Sequence, residues 1–228
     1  KLQHILCRHE QGAIHAAQGF ARVKNDVGVV LATSGPGATN LLTGIADAQI
    51  DSTALVCITG QVDSKLLGSD AFQETDIISA STPLTKWNFQ ITKASEIPSI
   101  MARAFYIAKS GRPGPVLIDI TKDAQFELEQ FHYEPCTALD GFVPYPKIEI
   151  QNIHSAAECI NSAKRPLVVW GQGILLGNAE AEFKAFVEKS GIPAAWTIMG
   201  ASALPTAHPW NVGMLGLGGR YAPYGVGG

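Results

Sequence analysis

The 228-residue sequence predicts an α/β fold with parallel sheets, arranged as two successive domains. Three observations carry that reading. Continuous apolar runs such as Val27-Gly28-Val29-Val30-Leu31-Ala32-Thr33 have the texture of parallel strands covered on both faces. These runs alternate with segments whose apolar residues recur every three or four positions, which is the βαβ pattern. The alternation breaks once, over 125–149, where Pro135, Gly141, Pro144, Pro146 and several aromatics follow neither period, and a stretch of that kind reads as an interdomain linker.

Taken in order, the charged cluster Cys7-Arg8-His9-Glu10-Gln11-Gly12-Ala13 opens into a helix expected to reach about Val23, with Ala13, Ile14, Ala16, Ala17, Phe20 and Ala21 on its packing face. Asn25-Asp26 make a turn into the first strand, which ends in Ser34-Gly35-Pro36-Gly37. Residues 38–50 read as a helix, with Leu41, Leu42, Ile45, Ala46 and Gln49 on neighbouring turns, and 53–60 as a second buried strand. Residues 61–75 are polar and contain Gly68, so they are expected to form a surface loop at a strand end, where function concentrates in α/β sheets. A strand over 85–92, a helix over 95–109 opening with Ser95-Glu96-Ile97-Pro98, and a strand over 114–121 follow. Beyond the break, a helix over 151–162, a strand over 166–171, a helix over 179–189 and a strand over 193–198 begin the second domain. The expected division is a first domain over 1–124, a linker over 125–147 and an incomplete domain over 148–228. Its glycine-rich end, Gly216-Leu217-Gly218-Gly219-Arg220 and Gly225-Val226-Gly227-Gly228, and its start at the edge of an apolar segment suggest a piece of a longer protein.

Composition narrows the function classes. Net charge is -3 and charged residues make up 16%, with no basic run and no aromatic ladder among basic residues, which argues against a nucleic-acid partner. No apolar stretch reaches membrane-spanning length, and Lys1-Leu2-Gln3-His4 does not resemble a signal peptide, so no membrane association and a cytoplasmic location are expected. Cys7, Cys57, Cys136 and Cys159 form no CxxC pair, which argues against a zinc or redox motif and leaves reduced, mostly buried thiols as the expectation.

Four clusters sit where chemistry is usually placed. Glu10 lies in the first turn of a packed helix, where the positive helix end favours the anion and desolvation favours the neutral acid; either state suits proton chemistry, and the plainer alternative is a first-turn acid paired with Arg8. Ser34-Gly35-Pro36-Gly37-Ala38-Thr39-Asn40 matches neither the P-loop nor the dinucleotide fingerprint, and Ser34 is not in a Gly-x-Ser-x-Gly elbow, which disfavours a serine hydrolase. Asp70-Ala71-Phe72-Gln73-Glu74 and Gly111-Arg112-Pro113-Gly114-Pro115 with Lys122-Asp123 complete the set.

Together with Ile58-Thr59-Gly60-Gln61-Val62 and Thr85-Lys86-Trp87, these motifs stand in the order of one family, and the chain resembles the large, catalytic subunits of acetolactate synthase, which depend on thiamin diphosphate. The resemblance spans the whole chain. It implies that residues from Arg8 to about Lys122 form a pyrimidine-binding domain and that those from about Ile148 begin a central domain. It makes Glu10 the carboxyl group that exchanges a proton with the pyrimidine ring nitrogen of the cofactor, with Ser34, Gly35, Gly37 and Asn40 as further cofactor-binding residues. Phe72, Gln73 and Lys122 would line the substrate entrance near the second 2-oxo acid; the alternatives are a loop phenylalanine capping a core and a solvated lysine. Arg112 would contact a flavin, the alternative being an arginine facing a helix C-terminus. Gly171, Gly173, Thr197, Ile198, Met199, Gly218 and Gly219 fall in segments that line FAD, although Gly218-Gly219 stand where the family usually has His-Gly. The magnesium ligands and the diphosphate site belong to a third domain that the chain does not reach.

The implied activity is decarboxylation of pyruvate and transfer of the hydroxyethyl unit to pyruvate or 2-oxobutyrate, the first common step of branched-chain amino acid synthesis. It implies a homodimer or tetramer of the full-length subunit and a possible regulatory small subunit. The alternatives are a sister enzyme, such as sulfoacetaldehyde acetyltransferase or pyruvate oxidase, and a non-catalytic α/β nucleotide-binding module.

Overall fold

The structure is a computed structural model that describes residues 3–219 and Gly225. The chain divides into two compact units, Lys1–Pro146 and Lys147–Gly228.

In the first unit, helix α1 (Glu10–Lys24) is capped at both ends. His9 adopts an extended conformation and its Nδ1 accepts from the Gln11 N–H at 3.1 Å, while Asn25 closes the helix in the left-handed region at φ 50°. Ile14, Ala17, Gln18 and Ala21 are buried, one face of a 3.6-residue period. That period turns Ala16 and Phe20 outward, so the wider packing face expected from the sequence is too wide.

Four parallel strands, β1 (Gly28–Ala32), β2 (Leu55–Gln61), β3 (Trp87–Ile91) and β4 (Pro115–Thr121), form a sheet in the order β1-β2-β4-β3. The central pair has the expected burial on both faces. β1 does not: it pairs only with β2, and Val29 and Leu31, on the face they share with Val56 and Ile58, are exposed because no helix among the described residues of this unit covers that face of the strand. Alternate residues of β2 and β4 feed two cores. Leu55, Cys57 and Leu117 join Ile14, Leu41 and Ile45 on one face; Val56, Val116 and Ile118 join Ile91, Ile100 and Ala104 on the other. The unit is thus a helix-sheet-helix sandwich.

The single helix expected over 38–50 is two. α2 (Pro36–Asn40) starts two residues earlier because Pro36 occupies its first turn, and it passes into α3 (Leu42–Ile50) through Leu41, whose N–H bonds back to Ala38 in a tightened turn. α4 (Ile77–Ser81) and α6 (Lys122–Phe126) were not foreseen, since five residues are too few to establish a helical period. α5 (Ile97–Lys109) follows a 3-10 turn, Ala94–Glu96, in which the Glu96 carboxylate accepts from the Thr92 and Lys93 N–H groups, both at 3.2 Å. Residues 127–146 contain no helix or strand, and the Phe142 ring meets Tyr106 edge-on at 6.2 Å, which ties this stretch to the first unit.

The four cysteines are free. The expectation of mostly buried thiols holds only for Cys57, which burial pushes up to about 12; Cys7 and Cys136 are partly exposed and Cys159 is exposed. No helix among the described residues is long and apolar enough to cross a membrane.

The second unit contains α7 (Ile150–Ser162), β5 (Val168–Trp170), α8 (Gly173–Leu176), α9 (Glu180–Ser190), β6 (Ala194–Trp196) and β7 (Asn211–Met214), the three strands forming a parallel sheet in the order β5-β6-β7. The short α8 and the glycine-containing β7 were not foreseen. Trp170 anchors the core: its ring lies 5.1 Å from that of Phe183, and its indole N–H donates to the Gly200 carbonyl at 2.8 Å.

The packing of α1 on α3 depends on Gly44, where an added Cβ would come within 2.2 Å of the Ile14 Cγ2. Gly44→Ala is expected to cost about 1–3 kcal/mol by overpacking, whereas Gly19→Ala, at an open position of α1, is expected to gain up to about 1 kcal/mol from helix propensity. Urea denaturation midpoints of the two variants check both signs.

Candidate active site

Glu10 is the first residue of α1 and is partly buried. Its Oε2 accepts a hydrogen bond from the Asn40 side-chain amide at 3.0 Å, so the start of α1 and the end of α2 are joined at this carboxylate. Asn40, rather than Arg8, is its side-chain partner among the described residues. Gly37 lies beside this contact: a Cβ there would clash with the Thr33 Cγ2 at 2.7 Å and stand in ordinary contact, 3.5 Å, with the Glu10 Oε1. Glu10's own backbone N–H and the Asn40 amide hold the carboxyl below its ordinary value, and His9 adds to this against a smaller opposing effect of burial. Of the two states left open by the sequence, the anion is the one the isolated chain favours.

The turn that supplies Gly37 also borders a cavity of about 550 Å³, lined by residues that include Ser34, Gln61, Phe72, Gln73, Lys122 and Phe126. The structure therefore brings Ser34, Phe72, Gln73 and Lys122, four separately expected positions, to one opening beyond the carboxyl ends of the strands. Phe72 is 88% exposed, which corrects the alternative that it caps a core. Lys122 is also exposed, at the start of α6, and its backbone N–H donates to the Val62 carbonyl at 3.3 Å.

The loop carrying Phe72 is more constrained than its composition suggests. Asp70 and Gln73 both adopt positive φ, at 57° and 61°. The Glu74 carboxylate accepts from the N–H groups of Gly68 and of Ala71, the latter at 3.0 Å. The loop rests on the turn at Gly35, which has φ 60° and where a Cβ would come within 2.8 Å of the Gln73 carbonyl oxygen. Asp123, quoted with Lys122 but given no role by the sequence, supplies a further tie. The Ser64 hydroxyl donates to its Oδ2 at 2.5 Å and the Ser64 N–H to its Oδ1 at 3.0 Å, which hold the carboxyl well below the usual range. An aspartate after a strand, bonded to a serine 59 positions earlier, gives no local pattern that sequence reading can detect.

Arg112 is not among the residues lining this cavity. Its Nε donates to the Ser52 hydroxyl at 2.7 Å and its Nη2 to the Ile50 carbonyl at 3.1 Å, so the guanidinium caps the C-terminus of α3.

In the second unit the expected cofactor segments fall at the carboxyl ends of three adjacent parallel strands. Gly171 and Gly173 follow β5, Thr197, Ile198 and Met199 follow β6, and Gly218 and Gly219 lie beyond β7. Hydrogen bonds from Thr197 N–H to the Trp170 carbonyl (3.0 Å) and from Leu215 N–H to the Trp196 carbonyl (2.8 Å) keep these segments side by side. A Cβ added at Gly173 or Gly216 would meet nothing within 4 Å and one at Gly218 only the tip of Met214, whereas one at Gly171 would lie 3.1 Å from the Thr197 Oγ1. The terminal glycines expected at 227 and 228, and Arg220, lie outside the described residues. No group of three or more His, Cys, Asp and Glu side chains that could hold a metal ion occurs among the described residues.

The fold is thus a parallel sheet with a helix-borne glutamate beside a glycine turn, followed by a second parallel α/β unit. Residues 1–80 match the thiamine pyrophosphate enzyme N-terminal TPP binding domain, and residues 153–225 match the thiamine pyrophosphate enzyme central domain. The chain belongs to the thiamine pyrophosphate enzymes, and within them it is similar to acetolactate synthase large subunits. The large subunit of Corynebacterium glutamicum is 47% identical over 226 residues, covering 99% of this chain and 36% of that protein. The large subunit of isozyme 1 from Escherichia coli is 47% identical, covering 96% and 38%. A probable large subunit from Methanocaldococcus jannaschii is 45% identical, covering 97% and 38%. The chain thus spans little more than a third of the length of these relatives.

Removing the Asn40 donor is expected to raise the Glu10 pKa toward the ordinary 4.5. Because the folded value is depressed, the linked stability is fully present above the unfolded pKa and is lost as pH falls through the folded one; Asn40→Ala shrinks this contribution. Carboxyl carbon NMR titration of Glu10 in both proteins reads the shift.

Proposed function

We propose that the full-length protein is an acetolactate synthase: it decarboxylates pyruvate and condenses the two-carbon unit with a second pyruvate or with 2-oxobutyrate. The observation that carries this reading is the convergence of Ser34, Phe72, Gln73 and Lys122 on one cavity, with the ionised Glu10 held at the other end of the same glycine turn. Thiamin diphosphate, when bound, would supply the electron sink for decarboxylation. Glu10 would exchange a proton with the pyrimidine ring nitrogen, and Asn40 would orient its carboxyl group for that exchange. The Lys122 ammonium and the Gln73 amide attract the carboxylate of the acceptor acid, and Phe72 covers it.

FAD is placed at the strand ends of the second unit, where it serves a structural role with Gly171, Gly173, Thr197, Ile198, Met199, Gly218 and Gly219 around it. Magnesium belongs with the diphosphate on chain outside this sequence. The active site is completed in a homodimer or tetramer, and the name "large subunit" borne by the relatives supports pairing with a small, regulatory one. A cytoplasmic location belongs to the same reading.

Glu10→Gln in the full-length protein is expected to lower thiamin-dependent turnover of pyruvate by about 100-fold or more with thermal stability little changed. Turnover with pyruvate alone, and then with added 2-oxobutyrate, measures it. Equal rates for Glu10→Gln and the wild type would contradict the role given to Glu10, and no turnover by either would return the chain to a non-catalytic binding module.

A further inference from the structure

Asp119 is the most deeply buried acid of the first unit, with no exposed surface, and none of the roles above uses it. It sits in β4 and draws three side chains from the strands on either side. The Thr59 hydroxyl donates to its Oδ1 at 2.7 Å, and the Gln61 and Gln90 amides donate to its Oδ2 at 3.1 and 2.9 Å. Burial pushes its carboxyl up, with these three bonds acting against that effect and the nearby Asp76 adding to it.

The Gln61 link reaches beyond the sheet. The Gln61 Oε1 accepts from the Val62 N–H at 2.9 Å, which fixes the orientation of the amide without reference to Asp119. Its Nε2 therefore faces both Asp119 and the Thr75 carbonyl, to which it donates at 2.8 Å. Thr75 ends the loop that carries Phe72 and Gln73, and Gln61 itself lines the cavity. Asp119 does not line it. A buried acceptor in the middle of the sheet is thus connected, through one amide of fixed orientation, to the backbone of the loop that closes the cavity.

We propose that Asp119 is a positioning residue: through Gln61 and the Thr75 carbonyl it sets the height of the loop over the cavity, and so the placement of Phe72 and Gln73 toward the acceptor acid. The identity of that acid rests on the functional reading above; the tie between Asp119 and the loop does not. Its requirement is an acceptor oxygen rather than a charge. Asparagine supplies that oxygen to Gln61 and Gln90 while its amide donates to Thr59, whose hydroxyl accepts as well as donates.

The test uses the full-length protein with Asp119→Ala, Asp119→Asn, Gln61→Met, the double variant Asp119→Ala/Gln61→Met, and the core control Ile118→Val. Hydrogen exchange of peptides covering 62–76 is compared with that of peptides covering 28–32. Asp119→Ala and Gln61→Met are each expected to speed exchange in the loop by about tenfold, the loss of one buried hydrogen bond, with the strand unaffected. Asp119→Asn and Ile118→Val are expected to leave the loop as in the wild type, and the double variant to match the single ones, because both act through one link. In turnover, Asp119→Ala raises the KM for the acceptor acid by about tenfold more than it changes kcat, and Asp119→Asn restores it.

Loop exchange unchanged in Gln61→Met, or in a folded Asp119→Ala, overturns the proposal, as does a double variant whose effects add. Should Asp119→Ala not fold, Gln61→Met decides alone. A wild-type protein that does not consume 2-oxo acids removes the functional reading, while loop exchange still decides the positioning role.

Discussion

The contact on which the site depends is the hydrogen bond between the Asn40 amide and the Glu10 carboxylate. It joins the start of α1 to the end of α2, and α1 is held elsewhere by a small residue and by polar groups with partners. Gly44 makes room for Ile14. The buried Gln18 amide donates to the Gly44 carbonyl at 3.0 Å, and Arg22 closes the far end on Asp51 at 2.8 Å. The carboxylate is therefore placed by a whole helix held along its length. A group held in this way loses little freedom when it meets a partner, which is the condition for efficient proton exchange.

The two units use the same geometric device for different purposes. In a parallel sheet every strand delivers its following loop to the same edge, so residues distant in sequence meet there. In the first unit this edge gathers Ser34 after β1, Gln61 at the end of β2 and Lys122 after β4 around one cavity. In the second it gathers three glycine-containing segments after β5, β6 and β7. The first edge mixes apolar side chains such as Phe72 and Phe126 with Lys122, Asp63 and Asp123. The second sets its glycines beside the exposed side chains of Ile198 and Leu217.

Much of the fold was legible because apolar runs and helical spacing are local signals. The strands 55–61 and 115–121 sit in the middle of the sheet and match their apolar runs within two residues. β1 has the same texture yet lies at an edge, because burial on both faces depends on neighbours that a run of valines does not specify. α4, α6 and α8 span only one or two turns, and β7 contains a glycine, so none of them carries a period to read. Glu10 and the loop at 70–74 stood out as unusual local clusters. The ties that hold them did not: Asn40 to Glu10, Ser64 to Asp123 and Gln61 to Asp119 link residues 30 to 59 positions apart, and only the folded sheet makes them neighbours.

The most direct test of the account is a structure of the full-length assembly with thiamin diphosphate bound. The expected result places the Glu10 carboxyl oxygen within hydrogen-bonding distance, about 2.6–3.0 Å, of the pyrimidine ring nitrogen, with Asn40 still on its other oxygen. A Glu10 carboxyl turned to open solvent, with the pyrimidine ring held by other groups, would contradict it.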